Sequence, residues 1–436
     1  MKSIKNLKNR FEQKEYLKKK IDKLKINIEN WDLQDITQEN LTASSLRVIK
    51  DGKLGSNTTL GESVKVKKNL IDGAEESADY GEETDLVFSK ESMDKLDPAV
   101  RENYEKADAE KIFAFITEVS DYIKNKNEDI VLNLNLNKRY EKIKIDTDNK
   151  GDLKEELVNF HFDFGAPIPG GGSTLYRSFN QEKMFDEIPK AEIDEFLAEY
   201  ENTYEISTPE TAKMDVLFSP RSLYFFFISL QAGISGRTIF QGTSPLMNKL
   251  DKKIFSDKIN VNDKPQMKNA AGRRSFDDEG IPTSQKEIIN KGLLKNYIFD
   301  LEYANKMGEK PTGNGLKRTL FGEGINTPVS PNFVNPVLEP GDKSKKDLLN
   351  SMDEGILVES VIGFHSSNYE QGHFSVQAQG FHVKNGKLQG RLQDVMIAGN
   401  IYEDFEEIKG VGDEIYPNMK GYAPYLLVNN VSVTGK

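Results

Sequence analysis

Residues 272–315, GRRSFDDEGIPTSQKEIINKGLLKNYIFDLEYANKMGEKPTGNG, decide how this chain is read. Phe276-Asp277-Asp278-Glu279-Gly280 is an acidic turn closed by glycine, and Pro282 rules out a helix running through it. Lys286–Ile289 and Leu293–Phe299 are apolar-rich runs separated by Asn290-Lys291-Gly292, which predicts a β-hairpin. Asp300 is placed to N-cap a short helix, Leu301–Met307, ended by Gly308. Pro311-Thr312-Gly313-Asn314-Gly315 holds too many turn formers to lie inside an element. Asp277, Asp278 and Glu279 carry the chemistry to hold a hard cation, but adjacent carboxylates repel and no further ligand spacing follows. The preferred reading is a structural turn neutralised by Arg273 and Arg274.

Composition sets the outer bounds. A chain of 436 residues predicts two domains, and 37% hydrophobic with 30% charged residues fits a soluble globular protein. The net charge of −11 argues against a nucleic-acid partner, because phosphate neutralisation needs clustered Lys and Arg. No run reaches membrane-spanning length; the most apolar, Leu223–Leu230, is far too short. The lysine-rich start lacks the apolar core of a secretory signal, so a cytoplasmic location without membrane attachment is expected. Zero cysteines exclude disulfides and thiolate ligands.

Along the chain, residues 4–23 have a helical apolar stripe (Ile4, Leu7, Phe11, Leu17, Ile21), and Leu24, Ile26 and Ile28 then alternate as in a strand. Leu46–Ile49 and Leu54 flank Asp51-Gly52, a hairpin turn. Helices are predicted over Val64–Ala78 and from Asp108 to Lys124, and strands around Leu132–Leu136 and Val158–Phe164. His161 points away from the phenylalanine face of the latter and reads as exposed or hydrogen-bonded. Pro167–Ser173 (PIPGGGS) is a loop without P-loop spacing, and 181–203 reads as helix. Met214–Phe218 is a strand, and Ser219-Pro220 starts a helix expected to reach Ile234. Further on, a helix is predicted over Asp347–Met352, and strands over Ile356–Ile362, Phe374–Val383 and Leu388–Leu392. A helix is predicted over Ile401–Lys409, capped by Asn400 and ended by Gly410.

The order FDDEG-x-P-T, then N-x-G-x-L-K, then E-P-T-G-N-G resembles the signature of the TldD/PmbA family, once called modulators of DNA gyrase. Residues 44–59 and Gly380–Gly412 also resemble family blocks, so the likeness runs over roughly residues 20–436. It implies an α+β protein: an N-terminal α/β region, 1–210, and a β-rich C-terminal domain, 211–436. Its signature residues here are Phe276, Asp277, Asp278, Glu279, Gly280, Pro311, Thr312, Gly313, Asn314 and Gly315.

Catalytic members of the family are zinc peptidases. The helix after the strand carries His-Glu-x-x-x-His, whose histidines bind zinc and whose glutamate is the general base, and a cysteine near the C-terminus adds a ligand. Here that helix reads Arg221-Ser222-Leu223-Tyr224-Phe225-Phe226-Phe227-Ile228-Ser229-Leu230, and the C-terminal loop around Asn418–Pro424 is short. The chain therefore resembles the PmbA/TldE-like branch. The resemblance implies a non-catalytic subunit that binds no cofactor itself, with zinc in a TldD-like partner, acting on extended peptides. A homodimer is also open. Two other readings compete: a self-sufficient peptidase with an unrecognised site, and a regulatory protein-binding module. His365, His373 and His382 could form a metal site only if the fold converged them, and Gly233-Ile234-Ser235-Gly236-Arg237 fails the G-x-S-x-G elbow at its last position.

Overall fold

The computed structural model describes residues 10–170, 174–319, 322 and 324–436. Its first half is built on one large sheet. The strands are β1 (Gln13–Glu29), β2 (Asp32–Lys50), β3 (Lys53–Leu60), β4 (Ser92–Lys95), β5 (Asn133–Thr147), β6 (Asp152–Pro167) and β7 (Thr174–Gln181). Helices α1 (Val64–Asp79), α2 (Pro98–Lys106), α3 (Ala109–Lys124) and α4 (Lys190–Glu201) accompany it. The order is β3-β2-β1-β5-β6, with β4 and β7 both on the outer edge of β6. β4 pairs with Asp152–Glu155 and β7 with Phe160–Pro167, so residues 156–159 have no strand opposite them on that side.

The second half begins with β8 (Ala212–Phe218), α5 (Tyr224–Ile234), α6 (Gly236–Phe240) and β9 (Val261–Asp263). The signature region supplies β10 (Lys286–Asn290), β11 (Leu293–Leu294), α7 (Leu301–Met307) and β12 (Gly315–Leu316). There follow β13 (Ser330–Pro331), β14 (Pro336–Leu338), α8 (Lys345–Asn350), β15 (Glu354–Ile362), β16 (His373–Lys384), β17 (Lys387–Arg391) and β18 (Met396–Asn400). The chain ends with α9 (Ile401–Asp404), β19 (Ile408–Val411), β20 (Tyr416–Pro417), β21 (Tyr422–Ala423) and β22 (Leu426–Thr434). A seven-stranded sheet runs β15-β8-β22-β18-β16-β17, with β19 pairing β22 off this path, and an extra β15–β16 pairing closes its order into a ring. A smaller sheet, β11-β10-β9-β14-β21-β20, packs beside it. The architecture is the α+β class that the sequence implied.

Several elements form as read. Lys291 and Gly292 take φ of 46° and 74°, the left-handed pair a two-residue hairpin needs. Asp300 Oδ1 accepts from Tyr303 N at 2.8 Å, and Gly308 closes α7 at φ 68°. Other elements differ. Residues 4–9 lie outside the described set, but Gln13–Glu29 is one long strand, not a helix. Leu17 is buried toward the second half of the chain, whereas Leu24, Ile26 and Ile28 are buried toward the helices. A strand covered on both faces loses its simple alternation. The helix expected over 181–203 spans only Lys190–Glu201, because Thr174–Gln181 pairs with β6. Gly171–Ser173 of the glycine loop fall outside the described residues. α5 starts at Tyr224 rather than Pro220, since Ser222 N bonds Ser219 O at 3.1 Å in a separate turn. α8 spans Lys345–Asn350, two residues earlier than read at both ends, in a capping box made by Ser344 and Asp347. The helix expected over 401–409 stops at Asp404, because Ile408–Val411 joins the sheet against β22. The second arm of the 286–299 hairpin is likewise short, Leu293–Leu294.

Candidate functional site

The two halves of the signature meet in the interior. Phe276 is fully buried against Leu17, Ile143, Ile145 and Leu153 of the first sheet, which sets the turn on that sheet's face. Asp277 Oδ1 accepts from Glu279 N at 3.0 Å and Ile281 N at 2.9 Å, and its Oδ2 accepts from Gly315 N at 2.8 Å. Asp278 N donates to Gly315 O at 2.9 Å, so FDDEG and PTGNG are locked main chain to main chain. Thr312 Oγ1 accepts from Phe299 N at 2.9 Å and donates to Asn314 Oδ1 at 2.8 Å. The fully buried Asn314 Nδ2 donates to Asp263 Oδ2 and Asn332 O, both at 2.8 Å. Pro311 is half-buried and leads the chain into this loop. Gly280 (φ 73°) passes its carbonyl to Ser89 Oγ at 2.7 Å. At Gly313 (φ 71°) a Cβ would stand 2.5 Å from Pro282 O, and at Gly315 one would stand 2.2 Å from Glu279 Oε2.

The acidic turn is neutralised from the first sheet as well as locally. Glu279 Oε1 accepts from Arg47 Nη1 at 2.5 Å, and its Oε2 caps the start of α7 through Leu301 N at 2.7 Å. Arg47 also holds Glu15 through two bonds at 2.8 and 2.9 Å. Asp278 Oδ1 receives Lys19 Nζ at 2.9 Å and Arg274 Nη2 at 3.1 Å, while its Oδ2 receives Lys317 N at 2.9 Å. Burial alone would raise the Asp278 carboxyl, but Lys19 and Arg274 outweigh it and hold it well below the usual range. Burial, with Glu279 beside it, pushes Asp277 well above that range. Burial and Glu279 also push Asp300 up to about 8, and burial beside Arg47 pushes Lys317 down to about 8. Of the two arginines expected to neutralise the turn, Arg274 does so, whereas Arg273 pairs with Glu182. Arg47 and Lys19, more than 230 residues away in sequence, could not be assigned to the turn by local reading. The cluster is a clamp between sheets, with its carboxylates engaged by cations and main-chain N–H groups.

Beside the clamp lies a cleft of about 760 Å³ between the first sheet and the second half of the chain. Glu141, Leu157 and Asn159 line one wall, and Arg273, Phe333 and Tyr422 the other. Helix α5 contributes Phe227 and Gln231. Gln231 bridges the far wall, donating to Asn332 Oδ1 at 2.9 Å and accepting from Phe333 N at 3.0 Å. The rest of α5 is core: Phe225, Phe226, Phe227, Ile228 and Leu230 are at most 2% exposed. A phenyl ring and a carboxamide engaged at both ends do not fit a zinc ligand set. Among the described residues no group of three or more His, Asp or Glu is placed to hold a metal ion.

The histidines sit apart. His161 bonds Asn180 at 3.0 Å and Asp163 at 3.2 Å; burial lowers its pKa, but Asp163 outweighs this and the net shift is upward. His382 is buried between Ser207 Oγ at 2.8 Å and Glu354 at 3.2 Å, and burial pushes it down. His365 lies on a short turn and His373 is exposed at the start of β16, so the fold does not converge the three. Ser235 falls between α5 and α6 and is not on a strand-to-helix elbow.

The chain is thus an α+β protein with a closed C-terminal sheet and a signature clamp beside a cleft of mixed polar and apolar lining. Residues 211–435 match the family described as the PmbA/TldA metallopeptidase C-terminal domain, and the chain belongs to that family. An uncharacterized protein of Methanocaldococcus jannaschii is 28% identical over 382 residues, 84% of each chain. A metalloprotease PmbA homolog of Buchnera aphidicola is 27% identical over 225 residues, 52% of this chain and 47% of that relative, so the match spans about half its length. TldE from Thermococcus kodakarensis has the same fold: TM-score 0.86, 21% identity, 99% of both chains covered. Among the described residues no helix is long and apolar enough to cross a membrane.

Proposed function

We propose that this chain is a TldE/PmbA-like non-catalytic subunit of a cytoplasmic zinc metallopeptidase. In this reading it completes a peptide chamber whose zinc is held by a TldD-like, His-Glu-x-x-x-His-bearing partner. The observation that carries the reading is α5, which meets the cleft with Phe227 and Gln231 where catalytic relatives are expected to present metal ligands. The cleft wall suits an extended peptide. Residues 156–159 of β6 line it with an unpaired edge, and Asn159 Nδ2 has no hydrogen-bond partner. Main-chain pairing there would give affinity without sequence demands.

The test is to purify the chain alone and with a co-expressed His-Glu-x-x-x-His relative, measuring zinc per chain and cleavage of unstructured peptides. The expected outcome is no zinc and no cleavage alone, with both appearing in a joint assembly. Stoichiometric zinc or cleavage by the isolated chain would overturn the reading.

A further inference from the structure

We propose that the outer edge of β2, from Asp32 to Leu41, docks an extended strand of a partner chain carrying lysine or arginine at two positions four residues apart. This rests on the geometry of the edge and stands without the subunit reading above.

β3 covers only Ala43–Lys50 of β2. Before that, β2 is paired on its inner side alone, with β1, and every residue from Asp32 to Leu41 is exposed. The direction of the free backbone follows from one bond. Thr42 O accepts from Gly61 N at 2.7 Å, on the outer side. In an antiparallel ladder a residue's N–H and C=O point the same way and alternate from residue to residue. Asn40, Gln38 and Ile36 therefore also aim both groups outward, and among the described residues no strand meets them.

Exposed edges are ordinarily blunted by lysine, proline or a covering element. Residues 32–42, DLQDITQENLT, contain neither lysine nor proline, and their only charges, Asp32, Asp35 and Glu39, are acidic, so they repel a like-charged strand and not a basic one. They also expose Leu33 (46%) and Ile36 (52%), although Ile36 is the register partner of Ile26, which is fully buried. A strand added here would extend the cover over that pair.

Charge selects the occupant. Opposite residues in an antiparallel ladder must both face outward or both inward, so a second copy can pair with Ile36 opposite Gln38 or with Ile36 opposite Ile36. The first register sets Asp35 opposite Glu39 at two places, and like charges directly opposed are destabilising; the second sets Asp35 opposite Thr37 and Glu39 opposite Leu33, so neither offers these acids a cation. Asp35 has hydrogen bonds to Asn27 and Thr37 but no ion pair among the described residues, and Glu39 reaches Lys23 only at 3.7 Å. Both acids lie on one face, four residues apart. A foreign strand with cations at matching positions turns each repulsion into an attraction.

The test uses the full chain and two capped synthetic peptides of eleven residues, alternating Thr and Val, with Lys or Glu at positions four and eight. Fluorescence anisotropy at low salt is expected to show the lysine peptide binding at least about tenfold more tightly, with the preference falling as salt rises. The double variant Asp35→Asn, Glu39→Gln should abolish the preference. Gln38→Pro removes an outward N–H without touching the β1 ladder and should abolish binding. N-methylating the peptide on alternate residues gives the same answer without altering the protein. Absence of binding, equal affinity for the two peptides, or full binding by the N-methylated peptide would overturn the proposal. So would sedimentation showing a dimer of the chain that Gln38→Pro dissociates, which would give the edge to a second copy. If a His-Glu-x-x-x-His relative assembles normally with Gln38→Pro while the peptides fail to bind, this inference falls and the subunit reading survives.

Discussion

At the scale of single residues, the clamp makes opposite demands on neighbouring carboxyls. Arg47 is the only cation within bonding reach of both Glu15 and Glu279 in the structure described. Arg47→Ala leaves two buried carboxylates facing each other and should cost about 3–5 kcal/mol, read as a lower denaturant midpoint in equilibrium unfolding. Asp300 behaves differently. Its folded pKa of about 8 lies above the unfolded value of about 3.9, so the folded state binds more protons between them. Its contribution to stability therefore falls as pH rises from about 4 to about 8. Asp300→Asn keeps an N-cap for α7, and its melting temperature should decline less over that window than the parent's. Asp278 has the reverse sign: its carboxyl is depressed, so its contribution is present above the unfolded value and lost only in strong acid.

At the scale of elements, local chemistry decided what could be read. The hairpin turn at Lys291-Gly292 was legible because only left-handed residues close a two-residue loop. Gly292→Ala would place a Cβ 2.1 Å from Phe255 O at φ 74°, so a loss of more than about 1 kcal/mol is expected from thermal unfolding. α7 was legible from Asp300 and Gly308 for the same reason. β1 was not. Its apolar residues switch from one face to the other after Ile21, and lysines such as Lys14 are buried against Asp148, so neither period shows cleanly. The helix at 401–404 was overread because pairing of Ile408–Val411 with a distant strand ended it, and the arm at 293–294 because Ile298 instead bonds Ile234 and Gly236 at the α5–α6 junction. Phe225, Phe226 and Phe227 of α5 lie in the core of the second half, as a run of phenylalanines favours. The residues that make the signature cohere, Arg47 and Lys19, lay beyond any window of local spacing.

At the scale of the molecule, one hydrophobic cluster crosses the middle of the sequence. Phe160, Phe162 and Phe196 pack in the same core as Leu217, Leu357, Phe381 and Leu427. Together with the clamp, this couples the halves. Calorimetry should record a single cooperative transition, and residues 211–436 expressed alone should bind a hydrophobic dye and lack a sharp one. Two separate transitions, or a stably folded fragment, would contradict the coupling. The clamp also bears on how the chain is made. Arg47 and its partner Glu279 are 232 residues apart, so on a ribosome adding roughly 5–20 residues per second Arg47 waits on the order of 10–50 s for that partner. Until Gly315 emerges, Arg47 has only Glu15 to bond and Lys19 only Glu141 within reach, so the first sheet is charge-balanced by its own acids before the acidic turn arrives.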